Sequence, residues 1–280
     1  MKRFAKTAYC ALWKYSGAMA AQETLAYWSG NSFMAVLLFH RVTDEIPADG
    51  LTVSTTWFRS LCAMLQRRFH VVSLGEIQRI MRSGAYPPKR TVAITFDDCY
   101  RDNLCAARTL AEHNLPACFF IPTKFVGTDH MFDWDRGLKR MPNLTWDDVR
   151  EMVQLGHEVG SHTVSHADLG LIDEASARRE LAESKKTLED QTDRRVRWFA
   201  YPYGGRQNFR PERLPLVFEL GYDACFSGFG GFIHPQAHEP IVPRQAVPCF
   251  DSLLDLEMYL TGCLGWVYAL KRKVGMISCP

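Results

Sequence analysis

Short apolar runs recur along the chain, separated by longer stretches in which apolar residues return every three or four positions. MAVLLF (34–39), TVAITF (91–96), ACFFI (117–121), HEVGSH (157–162), WFAYP (198–202), DACFS (223–227) and IVPRQAV (241–247) read as strands. Between them, Phe58, Leu61, Leu65 and Phe69 share one helical face over 55–69, and further helices are predicted at 74–81, 102–113, 147–155, 173–190 and 211–220. Thr145-x-x-Asp148 announces the helix at 147, Gly221 ends the one before it, and Ser83-Gly84 with Pro87-Pro88 break the chain. Phe4, Ala8, Leu12, Tyr15 and Met19 recur at helical spacing near the start, and Leu254, Met258, Leu264, Val267 and Leu270 do so near the end. Strand and helix alternate about seven times, the signature of a parallel sheet, open or closed into a barrel. No repeat or linker divides the chain. The expected organisation is an amphipathic helical extension over 1–30, one α/β domain over 31–250, and a C-terminal helix packed on it over 251–280.

Composition narrows the function classes. At 280 residues, 47% hydrophobic and 23% charged, the chain suits a soluble α/β barrel. A net charge of +2, with no basic run longer than Lys271–Lys273, sets nucleic acid aside. The nine cysteines are odd in number, scattered and without a C-x-x-C pair, which argues for a reducing compartment and against a thiolate metal site. Lys2, Arg3 and Lys6 precede a mildly apolar stretch, and Ala18-Met19-Ala20 has the form of a signal cleavage site. Lys14, however, leaves a core of only about seven residues, at the bottom of the range for a signal peptide. A helix is the preferred reading. No apolar run approaches the roughly 20 residues of a membrane span. The expected location is therefore cytoplasmic or membrane-peripheral. The basic helix offers a possible peripheral membrane contact, although packing on the domain is the simpler role. Oligomeric state is left open.

The reactive residues gather at the C-terminal ends of the apolar runs: His40 after VLLF, Asp97 and Asp98 after AITF, His162 after EVGS, and Pro202-Tyr203 after WFAY. Active sites of α/β folds lie at that edge. Two adjacent aspartates at the end of a buried strand are unfavourable unless positive charge meets them. Read alone, the pair is also consistent with a helix cap. His162 and His166 change that reading. With Asp98 they form a set of two imidazoles and one carboxylate, suited to zinc, cobalt, iron, nickel or manganese, with coordination positions left open. A cation there would acidify a water and polarise a carbonyl. Asp97 is then the natural general base.

TFDD, SHTVSH and FAYPYG, in this order and at these separations, resemble the first three motifs of the NodB-type polysaccharide deacetylases. LTWDDVREMVQLGHEVGSHTVSH is similar to the family's lead into its second motif, and the likeness covers roughly residues 34–250. The resemblance implies a distorted (β/α) barrel of about seven parallel strands and one divalent metal, with zinc the first candidate. It implies removal of N-acetyl groups from N-acetylhexosamine units of a polysaccharide or lipid-linked glycan, the substrate partner. Carried over by position, Asp97 is the base, and Asp98, His162 and His166 are the metal ligands. The backbone N–H of Tyr203 is the oxyanion donor, on a turn that Pro202 fixes and Gly204 permits. The family often places its enzymes in the envelope or beyond.

Several positions depart from the pattern. Ala200 stands where members often carry an Arg that orients the base, and Arg244 is the candidate replacement. Cys99 replaces a common glycine and reads as packing. The family's late catalytic-acid His is not clearly present. His40, His234 and His238 are candidates, and a mechanism with none of them stays open. His157 is expected away from the site, and His70, His113 and His130 at the surface. Trp134, Trp146, Trp198 and Tyr203 can stack on sugar rings, though Trp146 and Trp198 suit the core equally. Two other readings share these features: hydrolysis of a small cyclic amide or ureide on the same barrel, and a sugar-binding module without turnover.

Overall fold

Each apolar run is buried on both faces, as strands must be in a parallel sheet covered by helices. In the computed structural model, which describes residues 3–30, 32–234 and 240–273, these runs form one ring. The barrel strands are β1 (Met34–Phe39), β2 (Thr91–Phe96), β3 (Cys118–Ile121), β4 (Glu158–Ser161), β5 (Trp198–Ala200), β6 (Ala224–Ser227), β7 (Ile241–Pro243) and β8 (Gln245–Ala246), beside further two-residue strands at Arg41–Val42, Thr52–Val53 and His70–Val71. All pair in parallel, in the order β7-β6-β5-β4-β3-β2-β1-β8. The two edge strands are halves of one stretch. Ile241–Pro243 pairs with β6, Gln245–Ala246 pairs with β1, and Arg244 sits at the break. The barrel therefore has eight strand segments but seven staves, and the last stave switches neighbours midway.

Side-chain alternation assigns the two faces. Val36 of β1, Ala93 of β2, Phe120 of β3, Trp198 and Ala200 of β5, and Val242 of β7 belong to one buried cluster inside the ring. Leu37, Phe39, Ile94, Phe96, Phe119, Val159 and Phe199 belong to a second, against the outer helices. Phe39, Phe96 and Phe119 stack there in a row, with centroids 5.1 and 4.8 Å apart. Extending the inner parity past the strand ends reaches His40, Asp97, His162 and Arg244. The pleat thus aims these four polar residues into the mouth of the barrel.

The helices are α1 (Arg3–Tyr15), α2 (Ala18–Trp28), α3 (Thr55–Arg68), α4 (Leu74–Ser83), α5 (Asp102–Glu112), α6 (Trp146–Gln154), α7 (Glu174–Thr192), α8 (Leu214–Glu219), α9 (Leu253–Leu260) and α10 (Gly265–Lys273). Side-chain caps start many of them: Ser54 for α3, Ser73 for α4, a full Thr145–Asp148 capping box for α6, and Asp173 for α7.

The terminal helices differ from expectation. The single N-terminal helix divides at Gly17, whose φ of +79° belongs to the left-handed region. The break rotates the packing face. Cys10 and Met19 are buried and Trp13 leans on the core, while Ala8, Leu12 and Tyr15 face outward. The side chain of Phe4 lies outside the described residues. The C-terminal helix likewise divides, at Gly262 (φ +86°), into α9 and α10, and Leu270 is exposed. The helix expected over 211–220 opens as a 3-10 turn, Pro211–Arg213, before α8.

Gly160, in the middle of β4, shows how tightly the ring is packed. A Cβ there would lie 2.5 Å from the Phe120 ring and 3.1 Å from the Trp198 carbonyl oxygen. The same Phe120 ring lies 5.1 Å beneath the Arg244 guanidinium. Gly160→Ala is expected to lower stability by about 1–3 kcal/mol, as overpacking does, read from urea unfolding midpoints at constant slope.

Candidate active site

Asp98, His162 and His166 converge, with one ligand atom from each lying within 4.8 Å of the others. His162 Nε2 is 3.4 Å and His166 Nε2 3.2 Å from Asp98 Oδ1. Local backbone achieves this. Asp98 and Cys99 both have positive φ (+78° and +54°), so the chain turns sharply off β2 and swings Asp98 inward against the pleat. The left-handed Cys99 is where a glycine would be unstrained, and its thiol is buried and pushed well up by burial and by Asp98. Thr163 and His166 also have positive φ, which folds the His-x-x-x-His segment back on itself.

The trio fits a cation. His162 Nδ1 lies 2.8 Å from the Ala200 carbonyl oxygen, which can only accept, so Nδ1 carries the proton and Nε2 presents a lone pair. Asp98 Oδ1, the oxygen it faces, is buried without a hydrogen-bond partner. Acceptor facing acceptor in a dry site calls for positive charge between them. Without a cation, a proton takes that place. Burial disfavours the His162 imidazolium, but Asp97 and Asp98 outweigh it and raise the pKa. Burial likewise opposes the Asp98 carboxylate, yet His162 and His166 hold it well below the usual range.

Asp97 has a different partner. Arg244 donates from Nη1 to Oδ1 and from Nη2 to Oδ2, both at 2.7 Å, a two-point fork. Arg244 is fully buried; its Nε donates to the Ser227 carbonyl at 3.0 Å, and its Nη1 lies 3.3 Å from Thr95 Oγ1. Burial pushes the Asp97 carboxyl up, but Arg244, His162 and His40 together hold it below the usual range. His40 closes the floor, with Nε2 4.0 Å from Asp98 Oδ2 and Nδ1 buried without a partner. Its pKa is lowered, by burial first, against the pull of both aspartates.

A pocket of about 220 Å³ opens above these groups, rimmed by Trp134, Tyr203 and Gly204. Tyr203 (φ +62°) and Gly204 (φ +61°) form the turn after β5. A Cβ on Gly204 would meet the Gly228 nitrogen at 2.7 Å, so only glycine fits. Among the described residues nothing accepts from the Tyr203 N–H.

Four residues that the sequence pattern did not single out, Arg41, Tyr100, Asp135 and Glu180, complete the site. Trp134 Nε1 donates to Tyr100 Oη at 3.0 Å, and Tyr100 donates to Asp135 Oδ2 at 2.7 Å. Buried Arg41 binds the other oxygen of Asp135, and also Asp49 and Thr52 at 2.9 Å each. This relay, with Phe132 stacked 4.6 Å behind the indole, fixes Trp134 at the rim. Glu180 of α7 accepts from the N–H groups of Val164 (2.8 Å) and Ser165 (2.9 Å), anchoring the segment between the two histidines. The only sequence signal is position: Arg41 follows His40, and Tyr100 follows the aspartate turn.

Other expectations resolve plainly. Trp198 is buried, donating to Glu158 at 2.9 Å, and Trp146 packs against the core, so neither reaches the rim. His157 is buried with Nε2 2.9 Å from the Ala107 carbonyl oxygen, away from the mouth. His130 is exposed beside Phe125, 3.6 Å between ring centres, and His70 is exposed, while His113 is half-buried against Gln66. His234 follows Ile233, which pairs with Met34 at the opposite end of β1 from His40. It therefore lies at the far end of the barrel and cannot serve the site. His238 lies outside the described residues.

The start of α5 holds the His40 segment. Asn103 donates to the His40 carbonyl at 2.7 Å, and Asp102 accepts the Val42 N–H. Burial pushes the Asp102 carboxyl up to about 7, against the opposing pull of Val42 and Arg41. Between the unfolded value of ~3.9 and that value, the folded chain keeps a proton that the unfolded chain has lost, so this group's contribution to stability falls as pH rises through the window. Asp102→Asn keeps an acceptor for Val42 and removes the titration. Its urea midpoint is expected to change less than the wild type's between about pH 4 and about pH 8.

Comparison with known proteins bears on the same site. A family model described as polysaccharide deacetylase matches residues 84–224, about half of the chain. The Bacillus subtilis protein YxkH, named for that family, is 25% identical over 194 residues, covering 68% of this chain and 62% of its own. A chitooligosaccharide deacetylase of Sinorhizobium fredii is 30% identical over 134 residues, covering 47% and 54%. The chain thus spans less than two thirds of the length of these curated relatives. The Streptococcus pyogenes deacetylase PplD, solved with acetate, superposes with a TM-score of 0.70 at 22% identity, over 81% of this chain and 98% of that one, and shares the fold. The matched region runs through β2 to the start of β6 and includes the Asp98–His162–His166 trio, and the chain belongs to the polysaccharide deacetylase family.

Proposed function

We propose that the chain is a metal-dependent hydrolase that removes the N-acetyl group from an N-acetylhexosamine unit of a polysaccharide or lipid-linked glycan. One observation carries this reading: a carboxylate clamped by arginine, Asp97, shares a pocket floor with a cation-ready trio, Asp98, His162 and His166. The family match and the chitooligosaccharide deacetylase among the relatives support the reaction class. Trp134 and Tyr203, half exposed at the rim, support a sugar over a small amide, since aromatic faces stack on pyranose rings.

A divalent cation held by the trio supplies Lewis-acid polarisation of the acetyl carbonyl and lowers the pKa of water. Zinc heads the choices for two imidazoles and a carboxylate, with cobalt, nickel, iron and manganese sharing the preference. The remaining work belongs to the protein's own groups. Asp97, ionised at neutral pH, takes the proton from the attacking water. Arg244 is a positioning residue that fixes both Asp97 oxygens and keeps the carboxylate from turning away. As the new C–O bond forms, charge gathers on the carbonyl oxygen, which the free N–H of Tyr203 receives. The C–N bond then breaks and the amine departs with a proton. That proton is the one Asp97 took from the water; His40, neutral in the resting site and 4.0 Å from Asp98 Oδ2, is the other group on the floor able to carry it. Acetate and a free hexosamine amine result.

Acetate release from N-acetylglucosamine oligomers tests the scheme. Metal-loaded wild type is expected to release acetate. Asp97→Asn is expected to lose about 10²–10⁴-fold in kcat with metal content unchanged. Arg244→Lys keeps the charge but not the fork, and is expected to lower kcat by about ten- to a hundredfold with KM little changed. No release by the wild type with metal bound would turn the reading towards a small-amide substrate or a sugar-binding module.

A further inference from the structure

The layer formed by α1, α2, α9 and α10 is the place where the molecule leaves the most apolar surface uncovered. Leu12 and Tyr15 on α1, Leu25 and Trp28 on α2, and Trp266 and Leu270 on α10 are between 54% and 83% exposed. These three helices hold more than half of the large apolar side chains exposed among the described residues. The exposure is patterned. Ala8, Leu12 and Tyr15 follow i, i+4, i+7, as do Ala21, Leu25 and Trp28, and Trp266 and Leu270 follow i, i+4. Each helix therefore carries a continuous apolar stripe on its outer side, while its inner side packs through Cys10, Met19 and Tyr268. Scattered surface hydrophobes need no explanation, but three such stripes on helices linked through α1–α2, α1–α9 and α9–α10 packing do.

The helices form one unit. Lys14 of α1 binds Glu257 of α9 at 2.7 Å, and Gln22 of α2 meets Cys263, just before α10, at 3.3 Å. The charge of the unit is one-sided. In sequence, Arg3, Lys6 and Lys14 on α1 and Lys271, Arg272 and Lys273 on α10 outnumber the three acids of the four helices, Glu23 on α2 and Asp255 and Glu257 on α9. Glu23 is gripped through both oxygens by Arg90, at 2.6 and 2.7 Å. Glu257 beneath is held by Lys14 and Arg68. Lys89 reaches Thr24 at 2.9 Å and adds a further cation beside the α2 stripe. Glu23 and Glu257 are thus ion-paired, Arg272 turns to Gln245 at 3.0 Å, and among the described residues no carboxylate pairs with Lys89, Lys271 or Lys273. Among the described residues no helix is long and apolar enough to cross a membrane. Tryptophan, tyrosine and leucine stripes edged by lysine and arginine are the chemistry of a helix lying in the headgroup region of an anionic bilayer.

We propose that the outer face of α1, α2 and α10 is an interfacial docking surface for an anionic lipid bilayer. The attachment is independent of the reaction assigned above, and its test needs no substrate. The full-length protein is sedimented with vesicles of phosphatidylcholine alone and of phosphatidylcholine containing phosphatidylglycerol. Binding is expected on the anionic vesicles, weaker binding on the neutral ones, and release with added salt. Leu25→Glu/Trp28→Glu is expected to lower the partition coefficient by about tenfold or more, and the separate pair Trp266→Glu/Leu270→Glu to do the same. Circular dichroism and Tm should stay at wild-type values for both pairs, since the side chains are exposed. Three results would overturn the proposal: no vesicle binding by the wild type, binding that neither pair weakens, or a lipid-free dimer that either pair dissolves, which would make the face a protein interface.

Discussion

Two carboxylates side by side in a dry pocket repel each other and give up their hydration, a penalty of several kcal/mol per ion, and the site is arranged around relieving it. Asp97 and Asp98 are both buried, and each is given its own positive partner. Arg244 closes on Asp97 as a rigid, permanently charged fork. Asp98 receives two imidazoles, and the lone pair that His162 turns towards it asks for a cation. The division matters chemically. The carboxylate paired with arginine keeps an ionised, oriented oxygen next to the pocket. The one facing histidines is left with an empty bonding direction.

The barrel makes this division possible through its pleat. Residues of one parity line the interior, and one step past the strand ends that parity delivers His40, Asp97, His162 and Arg244. Arg244 arrives because the last stave breaks at that residue to pair with β6 on one side and β1 on the other. A regular strand of seven staves would have no such interruption. The irregularity of the barrel and the presence of a buried arginine at the base are one feature. Asp98 belongs to the wrong parity, and two successive left-handed residues correct it. Backbone strain at Asp98 and Cys99 is thus spent on bringing a second carboxylate to the same floor.

The barrel and the floor of the site were legible because their signals are local. Seven apolar runs marked the staves, and a polar residue directly after a run marked its mouth. Arg244 was visible as the single charge inside IVPRQAV. The relay that supports the rim was not legible, although Trp134, Tyr203 and Gly204 themselves were. Arg41 and Asp135 are 94 residues apart, and no periodicity links Tyr100 to a loop indole. His234 was a candidate without the expected strand context, and Ile233 before it bridges antiparallel to the start of β1. At the N-terminus the apolar spacing was read through Gly17 as one face. The left-handed glycine splits it, and leaves Leu12 and Tyr15 outside. A pattern argument holds only as far as the backbone stays regular.

The central claim is that the adjacent aspartates do different work because they have different counter-charges. Calorimetric titration of zinc into the metal-free wild type, Asp97→Asn and Asp98→Asn tests it most directly. The account predicts one equivalent bound by the wild type and by Asp97→Asn, and an affinity lower by about a hundredfold or more for Asp98→Asn. Loss of zinc by Asp97→Asn, or its retention by Asp98→Asn, would contradict it.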